Sequence, residues 1–211
     1  MAIISYILYE QNKIKGIIMA NAIICHGVKF KEDFDKMVIP FCASYWYPWL
    51  QQKLILSGVP TQVPSFTNSW LPARNYDADV DILSRQQIDS DTIMIGHSCG
   101  GGLLVKYLSE KPDIKIGHLV LVAPWIDVQH QFPQYFNNFE PAPELIARVG
   151  TMDLFYSTDD HFGDMIIQGC EKLQSIYPNM CVHKFSDRSH FSGDMREFPE
   201  LWNLCLEFIN G

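Results

Sequence analysis

At 211 residues the chain is long enough for one domain with a substantial core, and its net charge of −8 opposes binding to nucleic acid or anionic lipid, each of which needs a basic surface. No segment approaches the roughly 20 apolar residues of a membrane span. The six cysteines are scattered without a C-x-x-C pair or zinc-type spacing, which speaks against a disulfide framework or a structural zinc site.

The opening stretch MAIISYILYEQNKIKG has a short apolar run, but no basic region precedes it and no convincing cleavage site follows it. Residues 1–18 are read either as an added edge strand, since Ile, Tyr and Leu dominate 3–9, or as an extension ahead of a natural start at Met19, the second being preferred. The remaining residues, 19–211, are expected to form a single domain. Most cysteines lie in apolar runs such as Ile23-Ile24-Cys25 and Leu204-Cys205-Leu206, where a free thiol behaves as a small core residue, so a reduced, cytoplasmic setting is expected.

Ala22 to Cys25 reads as a buried strand ending at His26-Gly27. A polar stretch and the aromatic cluster Tyr45-Trp46-Tyr47-Pro48-Trp49 lead into a helix to about Leu56, stopped by Gly58. Thr61 to Ser65 suggests a short strand, Tyr76 to Gln87 a polar helix, and Thr92 to Ile95 a buried strand followed by a helix that stops near Pro112. His118 to Ala123 is a nearly all-apolar strand. Beyond it lies a Gln-, Asn- and Pro-rich passage from Trp125 to Gly150 with one short helix around 143–149. A strand at 151–157, a helix at 164–176, a strand at 180–185 and a last helix at 199–209 complete the pattern. Strands alternating with helices imply a mostly parallel sheet covered on both faces, with ligands at the carboxyl ends of its strands.

Gly96-His97-Ser98-Cys99-Gly100 joins the Thr92 strand to its helix and matches the G-x-S-x-G nucleophile elbow. Its glycines suit a turn in which a side chain two residues before or after the serine would collide with the facing backbone. A serine hydroxyl is a weak nucleophile and needs a base and an orienting acid. In this class they follow the serine in the order acid, then histidine. The chain supplies that order at strand ends: Asp159-Asp160 follow TMDLFYST, and His190 follows VHKFSDRS.

With these motifs the chain resembles the small serine hydrolases related to retinoblastoma-binding protein nine, within the α/β-hydrolase superfamily. The matching pieces are His26-Gly27, Trp46 to Leu50, Ile95 to Gly100, Leu119 to Pro124, Ser157 to Phe162 and Ser189 to Phe191, covering the chain from about residue 20 onward. The resemblance implies an α/β-hydrolase-like three-layer sandwich of about six strands with a minimal cap. It also implies Ser98 as nucleophile, His190 as base and Asp160 as acid. The acid in this superfamily commonly lies four residues before a helix-opening proline, and here that position is Asp164. Asp159 therefore remains the alternative acid.

Two backbone N–H groups should form an oxyanion hole. Cys99, next after the nucleophile, is one expected donor and Val28 the other, although the segment 28–44 is longer than usual for the family. His26 and Trp46 are candidate substrate contacts, with packing on the sheet an equally good account of the aromatic cluster. Phe132, Tyr135 and Phe136 are expected to line a pocket, because large apolar residues on an irregular loop often touch ligand. His97 should pack beneath the elbow.

These readings predict a serine hydrolase acting on a small ester, thioester or amide, with no cofactor and no metal. The chain would be a monomer or homodimer with no nucleic-acid or membrane partner. The acidic surface suggests a neutral or positively charged substrate. The rival expectation is a weakly active or inactive hydrolase-fold protein acting as a protein-interaction module, binding through an L-x-C-x-E motif. Its only candidate, Asn203-Leu204-Cys205-Leu206-Glu207, has asparagine where leucine is required and lies on a helix whose apolar face should be buried.

Overall fold

A computed structural model describes residues 20–210, so the expectation for residues 1–18 lies outside the described part of the chain. The first strand, β1 (Ala22–Cys25), is fully buried. There follow β2 (Lys29–Phe30), a single turn α1 (Lys31–Phe34), the helix α2 (Tyr47–Leu56), and the short strands β3 (Thr61–Gln62) and β4 (Trp70–Leu71). Helix α3 (Tyr76–Ser84) starts at Asn75, whose side chain accepts from the Ala78 N–H and satisfies one of the unpaired amides of a first turn. Next come β5 (Ile93–His97), α4 (Cys99–Glu110), β6 (Ile116–Val122), a short turn α5 (Pro133–Phe136) and β7 (Val149–Ser157). Helix α6 (Asp164–Ile176), strand β8 (Cys181–Phe185) and helix α7 (Pro199–Asn210) close the described chain.

Six strands form one sheet in the order β3-β1-β5-β6-β7-β8, every pair parallel. The chain runs outward from β1 to β3, then back past β1 to β5 and on to β8. Because crossovers between parallel strands are right-handed, the reversal puts α2 on one face and α3, α4 and α6 on the other. Helix α7 packs beside α2. This is the doubly covered α/β sandwich expected from the alternation of elements. With both faces covered, β1 and β5 consist entirely of buried residues and read as apolar runs rather than alternating ones.

Several boundaries differ from the sequence reading. The strand expected over 61–65 ends at Gln62, since Pro64 cannot donate to a ladder. Helix α3 stops at Ser84, where the Gln86 N–H turns back onto the Leu83 carbonyl. Strand β7 begins two residues earlier than expected, pairing Val149 with Ile116. The small parallel sheet of β2 and β4, and the turns α1 and α5, are too short to leave a periodic pattern.

The elbow is crowded. A β-carbon on Gly100 would lie 2.2 Å from the Cys25 carbonyl oxygen, and one on Gly96 2.6 Å from the Gly101 Cα. Gly100→Ala should therefore cost about 2 kcal/mol or more by overpacking against backbone that has nowhere to move. A fall in the urea midpoint of that size is the expected result, and an unchanged midpoint would contradict it.

Candidate active site

Ser98 sits between β5 and α4 with φ 56° and ψ −127°, a conformation costing about 1–3 kcal/mol for a residue with a side chain. Neighbouring backbone holds it there. The Ser98 N–H donates to the Val122 carbonyl at 2.9 Å, and the Ser98 carbonyl accepts from Gly101, Gly102 and Trp125. In register, His97 lies opposite Val122, Val122 opposite Phe155, and Ser157 opposite Phe185. The segments leaving β5, β7 and β8 consequently bring Ser98, Asp160 and His190 to one edge of the sheet.

Asp160 and His190 are both buried, and Asp160 Oδ2 lies 2.7 Å from His190 Nδ1. A carboxylate only accepts, so Nδ1 carries the proton and Nε2 is left as the basic nitrogen. Asp159 has a different task. It is exposed and accepts from the Ser189 N–H at 2.9 Å and from the Ser157 hydroxyl, bracing the loop that carries His190. Ser98 and His190 line the same cavity of about 450 Å³ without a direct hydrogen bond.

The His190 loop is gripped from beneath. His97 Nε2 lies 2.7 Å from the His190 carbonyl, and Trp46 Nε1 donates to the Phe191 carbonyl at 3.0 Å. Since a carbonyl only accepts, His97 is protonated on Nε2, and its Nδ1 accepts from the Tyr47 hydroxyl. Ser189 and Phe191, on either side of His190, both have positive φ, so this grip holds a strained turn. Burial, reinforced by the neighbouring His190, pushes the His97 pKa well below its usual value. The elbow histidine is thus a neutral strut under the turn, as its position suggested.

On the opposite wall, the chain leaves β1 through His26, Gly27 and Val28. A β-carbon on Gly27 would lie 2.9 Å from that of Ser98, so this loop runs directly beside Ser98. Among the described residues the N–H groups of Val28 and Cys99 find no acceptor within the backbone, and Val28 lines the cavity. Arg74 holds the loop from behind, donating to the carbonyls of His26 and Gly27 and turning both away from the cavity. Its Nε pairs with Asp79 at 2.6 Å, and Asp79 also accepts from the Tyr135 hydroxyl at 2.7 Å. The pair is fully buried, and it leaves Arg74 Nη2 and Asp79 Oδ1 without partners. Nothing in the sequence flagged Arg74: a lone arginine five residues before an aspartate is an ordinary helix-flanking pattern.

The expected substrate contacts divide. Phe132 lines the cavity, with Trp125, also on the wall, stacked on it at 5.7 Å. Trp46, Tyr135, Phe136 and His26 do not. Trp46 is fully buried at the foot of the His190 loop. Tyr135 turns its hydroxyl inward because Asp79 needs a donor, and Phe136 packs on Trp125 in the core. His26 accepts from the Phe66 N–H, and burial lowers its pKa to about 3. Residues missed by the sequence reading complete the walls, among them Lys29, Phe41, His161, Phe162 and Met165.

Comparison with known proteins bears on the fold. Residues 56–151 match the family model described as serine aminopeptidase, S33, a span that includes Ser98 and ends before Asp160 and His190. A search of curated proteins finds no match. Among solved structures, the ydeN gene product of B. subtilis superposes with a TM-score of 0.71 at 17% identity, covering 91% of this chain and all of that one. The fold is that of the α/β-hydrolases. Est1E from Butyrivibrio proteoclasticus, solved with ferulic acid, has a TM-score of 0.63 at 14% identity over 91% of this chain and 90% of that one. A methylesterase from Arabidopsis has a TM-score of 0.59 at 15% identity over 90% and 99%. Among the described residues no helix is long and apolar enough to cross a membrane.

Two consequences can be measured. His26 and His97 have pKa values below those of an unfolded histidine, so as pH falls below about 6.5 the unfolded chain takes up protons that the folded one refuses. Stability should be full above that pH and fall by up to about 1.4 kcal/mol per pH unit for each histidine. Urea midpoints at pH 7 and pH 5 check this, and equal midpoints would contradict it. Tyr135→Phe removes a donor from buried Asp79 and should cost about 1–3 kcal/mol of stability, with little change in KM for any substrate.

Proposed function

We propose that the protein is a serine hydrolase that cleaves a small ester, thioester or amide through an acyl-enzyme on Ser98. The observation that carries the reading is the buried Asp160–His190 pair, 2.7 Å apart, opening onto the cavity that holds Ser98 on its strained turn. Nε2 of His190 takes the proton as Ser98 Oγ attacks the substrate carbonyl. The new oxyanion is held by the N–H groups of Cys99 and Val28, which need no reorganisation as charge develops. His190 then gives its proton to the departing alcohol, thiol or amine. Water, deprotonated by the same nitrogen, attacks the acyl-enzyme and releases the acid.

The matched family model and the neighbour described as a methylesterase support a hydrolytic role. The motifs shared with relatives of retinoblastoma-binding protein nine support the serine chemistry in particular. The interaction-module reading has less behind it: Cys205, central to its motif, is completely buried on α7.

A fluorophosphonate should label Ser98, and Ser98→Ala should abolish labelling in a protein that still melts cooperatively. An adduct mapped to another residue would overturn the assignment. Asp160→Asn should lower kcat by about 10⁴, since an amide favours the wrong imidazole tautomer. Asp159→Asn should have a far smaller effect. The reverse ranking would move the acid to Asp159.

A further inference from the structure

Among the described residues, Lys29 is the one lysine or arginine on the cavity wall, and it enters from the loop beside the nucleophile, two residues after Gly27. Its backbone is fixed by the small β2–β4 sheet, where its N–H donates to the Ser69 carbonyl at 3.1 Å. Its ammonium lies 5.4 Å from the ring centre of Phe41 and 5.3 Å from that of Tyr45. Among the described residues no carboxylate pairs with it. The only acidic residue on the wall among the described residues, Asp33, is exposed and 3.4 Å from Lys36. Two ring faces steady the cation from the sides without neutralising it. A half-buried charge in an otherwise mostly apolar or neutral cavity attracts an opposite charge more strongly than it would in open water.

We propose that Lys29 is an anion subsite, and that the preferred substrate is a small ester carrying a carboxylate a short apolar chain away from the scissile carbonyl. The proposal rests on the hydrolase reading above. It reverses the expectation from net charge: the surface is acidic as a whole, but the group that meets substrate is a cation. Trp125, Phe132 and Phe162 supply the apolar surface for the connecting chain.

The test compares 4-nitrophenyl hydrogen glutarate with 4-nitrophenyl valerate, matched in acyl length. In the wild type the ratio of kcat/KM should favour the anionic ester about tenfold at low salt and fall as salt is added. Lys29→Met should collapse that ratio to about one or below, and Lys29→Glu should carry it further towards the neutral ester. A wild-type preference for valerate, or a ratio unmoved by either substitution, overturns the subsite while leaving the hydrolase intact. If neither ester turns over and no fluorophosphonate adduct forms on Ser98, the hydrolase reading has failed, and calorimetry of glutarate against glutaramide judges the subsite separately. Binding of glutarate alone, lost in Lys29→Met, supports it; equal or absent binding overturns it.

Discussion

Helix α4 crosses the ends of β1 and β5 so closely that the Cα of Gly100 stands where any β-carbon would strike the Cys25 carbonyl. That approach forces the turn at Ser98 into a conformation a serine otherwise avoids, and neighbouring backbone bonds from Val122, Gly101, Gly102 and Trp125 hold it there. Strain of this kind persists only where the surroundings over-determine it. The rigid parallel sheet provides that support, and the same edge then receives the loops that follow β7 and β8.

Around the elbow, two buried polar clusters hold the loops rather than touch the cavity contents. Arg74, Asp79 and Tyr135 fix the loop after β1. Tyr47, His97 and Trp46 fix the loop carrying His190. Buried ion pairs contribute little net stability, because desolvation offsets most of the attraction, yet removing one partner costs about 3–5 kcal/mol. Their value here is geometric. Each binds carbonyl groups of its loop from the protein side, and both Val28 and His190 line the cavity.

Much of this was legible along the chain. The apolar runs at 22–25, 93–97 and 116–122 announce strands buried on both faces, and the order of Ser98, Asp160 and His190 announces the arrangement at their ends. What failed was the assignment of aromatic residues. Tyr135 and Phe136 looked like pocket lining because they are large and lie in an irregular passage, and Trp46 because it belongs to an aromatic cluster; Phe136 packs on Trp125 in the core, and for Trp46 and Tyr135 polarity decided otherwise. An indole N–H or a phenol hydroxyl points to whichever buried acceptor lacks a donor, and those acceptors, the Phe191 carbonyl and Asp79, lie far away in sequence.

The amino-acid sequence alone determined the class of fold, the elbow and the order of Ser98, Asp160 and His190, because these depend on local periodicity, on glycines at a tight turn and on spacing along strands. It also singled out Asp160 over Asp159 only through family resemblance; the burial of one beside His190 and the exposure of the other belong to the folded chain. Tertiary structure decided which side chains surround the cavity, including the charge of Lys29 within an acidic protein. Such contacts join residues tens of positions apart, and their partners are set by the packing of whole elements, which no local pattern encodes.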